Sequence, residues 1–68
     1  MVERHLAQAD RHVSQSERHV AQQRARIAYL ERRRHDAVEA QVLLGEFEKC
    51  LGLHVEHRDR LKKMLAAA

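Results

Sequence analysis

From Val2 to Asp36 the chain repeats every seven residues. The units read VERHLAQ, ADRHVSQ, SERHVAQ, QRARIAY and LERRRHD. A period of seven turns one edge of an α-helix toward a partner helix, turn after turn. With seam positions written a and d, Leu6, Val13, Val20 and Ile27 fall at a. Val2, Ala9, Ser16, Gln23 and Leu30 fall at d. The a row is β-branched or Leu. The d row is small or polar at its centre, so it permits close approach and buries little area per residue.

The pattern breaks at Arg34, which stands where the next a residue belongs. Arg32, Arg33, Arg34 and His35 concentrate positive charge there, as the C-terminal end of a helix dipole favours. Asp36, with Glu39 three residues on, resembles a capping box and marks a second helix start. The reading is all-α: helix 1 over about 2–33, a turn at 34–36, and helix 2 over about 37–65, in one domain spanning 1–68. The alternative is one unbroken helix, since neither Gly nor Pro marks the turn.

Helix 2 carries a seam with Ala37, Leu44, Leu51, Arg58 and Leu65 at a, and Ala40, Phe47, His54 and Leu61 at d. A flanking g row adds Leu43, Cys50, His57 and Met64. This stripe is wider than one partner helix needs. It predicts an antiparallel hairpin that dimerises into a four-helix bundle. The expected self-association core is Leu6, Val13, Val20, Ile27, Leu30, Leu43, Leu44, Phe47, Cys50, Leu51, Leu61, Met64 and Leu65. Gly45 and Gly52 lie seven apart on one face, as openings for another backbone or as tolerated defects.

Charge is consistent with the hairpin. Folding at 34–36 brings Asp10 near Lys62, Arg24 near Glu48 and Arg33 near Asp36, each pair opposite in sign. Exposed pairs contribute at most about 1 kcal/mol each and so select orientation more than they stabilise.

Composition narrows the function classes. The chain has 68 residues, no proline, two glycines and 3% aromatics. Strand-rich and Pro/Gly-rich disordered folds are excluded, and no apolar run is long enough to span a membrane. A chain this short buries a modest core and needs a staple. One cysteine cannot form an intrachain disulfide, so oligomerisation is the remaining staple. The single thiol and the charged start at Glu3 and Arg4 point to a reducing, cytoplasmic setting.

No catalytic constellation appears: no Ser-His-Asp set, no phosphate-binding Gly-rich loop, no paired-carboxylate cleft. The chain reads as a non-enzyme that requires no cofactor. His5, His12 and His19 recur about 10.5 Å apart along a helix and cannot share one metal. In the hairpin register His57 comes level with His12, near His19 and Cys50. The histidines read as solvated seam-flanking residues that hold no metal, and His12, His19, His54 and His57 are the metal cluster kept as an alternative. A pH-sensitive interface is the other alternative. Cys50 reads as a small core or interface residue. Arg24, Arg26, Arg32, Arg33 and Arg34 form a basic run that fits phosphate, although the net charge is only +3 and stacking aromatics are scarce.

The ERH/DRH heptads, the basic turn and the Asp-Ala-Val-Glu-Ala helix start resemble small uncharacterised bacterial helical-hairpin proteins, and the layout resembles Rop-like hairpin dimers. The first resemblance implies a coiled-coil hairpin and no known activity. The second is a likeness of architecture and transfers no residue role. The expected function is a protein-interaction or scaffold module acting on itself or on another protein's helix. The alternative is an RNA- or DNA-binding bundle using the arginines of 24–34.

Overall fold

The row that the repeat assigns to a and d in helix 1 is the row that is buried. A computed structural model of the chain describes residues 1–67. Within them lie two helices, α1 (Val2–Arg32) and α2 (Val38–Ala67), and no strand. The molecule is a rod with extents of 54 × 14 × 13 Å. An unbroken helix of this chain would reach about 100 Å at 1.5 Å per residue. The chain therefore folds back on itself, and the unbroken alternative is excluded.

The turn works without glycine. Arg34 adopts φ 58°, the left-handed conformation that usually selects Gly after a helix. The His35 N–H donates to the Leu30 carbonyl at 2.9 Å, and the Arg34 N–H to the Glu31 carbonyl at 3.0 Å. These two bonds form a Schellman motif and satisfy carbonyls that a helix end leaves open. Helix 1 thus ends at Arg32, with Arg33 as its cap, one residue short of the expected boundary. Arg33 does not reach Asp36; its guanidinium lies 4.7 Å from the centre of the Tyr29 ring, one turn back.

Asp36 does start the second helix. Its Oδ1 accepts from the Val38 N–H at 2.9 Å, and the Ala37 carbonyl takes the first helical bond from the Gln41 N–H. The expected capping box does not form among the described residues: Asp36 takes the Val38 N–H, not that of Glu39, and Glu39 returns no hydrogen bond to Asp36.

The core is a single seam. Ala9, Val13, Ser16, Val20, Gln23 and Ile27 of α1 are buried, together with Ala37 just ahead of α2 and Leu61 within it. Ala40, Leu44, Phe47, Leu51, His54 and Arg58 are half-buried opposite them. Every one of these residues is at a or d. The polar Gln23 is accommodated because its Nε2 donates to the Ala40 carbonyl at 2.8 Å. No buried side-chain nitrogen or oxygen among the described residues lacks a partner.

The register is fixed on one flank by Arg24 and Glu48, which form the expected ion pair at 3.1 Å. Asp10 and Lys62 form none. Around Gly45 and Gly52 an added methyl group would meet no atom within 4 Å. The hairpin itself therefore makes no use of their missing side chains.

Candidate functional site

The two flanks of the seam differ in chemistry. On one flank the e row of α1 carries Glu3, Asp10, Glu17, Arg24 and Glu31, facing Gln41, Glu48, Val55 and Lys62 of α2. That flank is charged and solvated. On the other, α1 presents His5, His12, His19 and Arg26, and α2 presents Leu43, Cys50, His57 and Met64.

Two concavities of the rod open on this second flank. One, of about 220 Å³, is lined by His12, Gln15, Ser16, His19, Phe47, Cys50 and His54. The other, of about 330 Å³, lies nearer the turn between Gln23, Arg26, Leu30, Asp36, Glu39, Ala40 and Leu43. Their cause lies in the d rows. At the first hollow Ser16 lacks the bulk that would fill the space beside Phe47, and at the second the small Ala40 faces Gln23, so the seam is hollow on that side.

Within the first hollow the His12 and His54 rings stand 5.3 Å apart, tilted at 50°. The His19 ring lies 5.6 Å from Phe47. His57, expected level with His12, does not line the hollow. The ring that meets His12 there is His54, at d on α2. Among the described residues, no three His, Cys, Asp or Glu side chains stand close enough to hold a metal ion.

Cys50 is exposed at the edge of this groove and is not a core residue. Leu43 and Met64, in the same row, are 44% and 56% exposed, and Leu53 beside them is 65% exposed. Leu65 is also exposed. Of the expected self-association residues, Val13, Val20, Ile27 and Leu61 are buried in the intrachain seam. Leu6, Leu30, Leu44, Phe47 and Leu51 are half-buried there, while Leu43, Cys50, Met64 and Leu65 face solvent. Ala9, Ser16, Gln23 and Ala37 are buried although they are not bulky apolar residues. Their a or d position was the signal.

The five arginines do not form one patch. Arg24 is engaged with Glu48 and Arg33 with Tyr29. Arg26 borders the second hollow with Asp36 and Glu39. Arg32 and Arg34 are exposed at the turn. No helix among the described residues is long and apolar enough to cross a membrane. No family model, no curated protein and no solved structure matches the chain.

Proposed function

We propose that the chain is a non-enzymatic protein-interaction module that acts by self-association, as a dimer of hairpins forming a four-helix bundle in the cytoplasm. One observation carries this reading: α2 keeps Leu43, Leu53 and Met64 largely in solvent after its seam with α1 is complete. An apolar row along a helix that its own chain leaves uncovered supports a helical partner. The lone exposed thiol of Cys50 suits a reducing compartment. The same architecture underlies the likeness to small bacterial helical hairpins and to Rop-like dimers.

Sedimentation velocity tests it. A compact particle of twice 8.0 kDa at micromolar concentration is the expected result. A monomer across that range would remove the proposal.

A second reading rests on the turn end of the rod. Arg32, Arg33 and Arg34 are all exposed there, and none makes an ion pair among the described residues. Such a cluster suits phosphate of RNA or DNA. A titration with RNA at several salt concentrations distinguishes it. Affinity that falls steeply with salt supports nucleic-acid binding, and no binding at low salt ends it.

A further inference from the structure

The proposed self-association leaves open which surfaces meet and in which direction, and the distribution of side chains answers both. On the grooved flank the exposed apolar row along the middle of the rod belongs to α2: Leu43, Leu53 and Met64, with Cys50 between them; α1 adds only Tyr29, which lies under Arg33 beside the turn, and Met1 at its far end. The same flank of α1 offers His5, His12, Gln15, His19 and Gln22. Packing α2 on the α1 of a second copy would set leucine against histidine and glutamine. Packing α2 on α2 buries apolar surface against apolar surface.

The direction follows from charge. On this face the N-terminal half of α2 carries Glu39 and Glu46, with Asp36 just ahead of the helix. The C-terminal half carries His57 and Arg60. Parallel packing would set each half against its own copy, acid on acid and base on base. Antiparallel packing sets Glu39 and Glu46 of each copy against the Arg60 half of the other. A two-fold contact is self-complementary by construction, so this charge division is the pattern it requires. Val38 and Val42 are also exposed, but they lie on the opposite side of α2 near its start.

We infer that a second copy of this chain docks α2 against α2, antiparallel, with the two-fold axis crossing the turn between Cys50 and Leu53. The inference rests on the self-association reading and specifies its geometry. It also gives the two hollows a role: lying on the docking flank, they face the second copy once it is seated.

The test combines sedimentation velocity with a spin-label distance. In a Cys50→Ser/Lys63→Cys variant, a nitroxide sits on the outward side of α2. Antiparallel docking separates the two labels along the axis by about 23 residues, or about 35 Å. Parallel α2 pairing, or docking of α2 on α1 with the turns at the same end, brings them within about half that distance. A dimer with the long distance is the expected result. A dimer with the short distance overturns this geometry and leaves self-association standing. A monomer removes both. As a check on the face, Leu53→Glu, at a position the hairpin does not bury, is expected to yield a monomer with helicity retained. A dimer that persists in this variant would mean that another surface is used.

Discussion

Arg24 Nη2 stands 3.1 Å from Glu48 Oε2 across the seam. Both side chains are largely exposed, at 63% and 48%, so the attraction is screened by water and salt. Its contribution is to register, since a slip of one turn would separate the pair. Arg24→Glu would set two carboxylates at this distance and is expected to cost about 0.5–1 kcal/mol at low salt. Adding Glu48→Arg is expected to restore most of that loss. Urea melts of the two single variants and the double variant measure the coupling directly. Coupling within error of zero would mean that the pair does not set the register.

At the turn, Arg34 holds φ 58° where a side chain with a Cβ is penalised by about 1–2 kcal/mol. The two Schellman hydrogen bonds on either side need that conformation. Arg34→Gly keeps them and removes the penalty, but the unfolded chain gains freedom. The net expectation is a stabilisation of about 0.5–1 kcal/mol, read as a rise in thermal midpoint. Arg34→Val, β-branched at a positive φ, is expected to lower the midpoint.

These two residues also mark what the sequence made legible. Heptad phase is a property of spacing alone, so the buried rows, the hairpin class and the Arg24–Glu48 pair could all be read from it. Asp36 was legible because an acidic side chain just before a helix has one common use there. The left-handed turn at Arg34 was not, because its usual marker, glycine, is missing. His12 and His54 both stood in the expected histidine cluster, and their rings do meet. His57, one turn further on in the g row, was expected level with His12 and does not line the hollow, whereas His54 at d does. The exposure of Cys50 and Leu43 was hidden too. A wide apolar stripe in sequence does not say how much of it one partner helix covers.

Gln23 shows how a polar residue holds a seam position. Its side chain is buried and donates to the Ala40 carbonyl at 2.8 Å. Gln23→Ala removes the bond and leaves a gap beside Ala40. The expected loss is about 1–2 kcal/mol, from a hydrogen bond worth about 1 kcal/mol plus lost packing. Gln23→Leu replaces the polar group with one of similar bulk. It is expected to be neutral or stabilising, because no buried donor is then left to satisfy. Urea denaturation of both variants separates the two contributions. If Gln23→Leu proved as damaging as Gln23→Ala, the bond and not the filled volume would be what counts at this position.

Gly45 and Gly52 provide the test that separates the hairpin from its assembly. Each interrupts α2 with a residue that costs about 1 kcal/mol relative to alanine in a helix interior. Within the hairpin an added Cβ meets nothing at either site, and neither has a positive φ. Both lie away from the face where α2 is proposed to meet a second copy. Gly45→Ala and Gly52→Ala are therefore each expected to stabilise by up to about 1 kcal/mol, additively, with the dimer mass unchanged. Thermal melts read the first expectation and sedimentation the second. A variant that gains helicity but loses the dimer would show that another backbone packs against these glycines, and so that α2 meets its partner on the glycine side instead of the Leu43–Leu53 side.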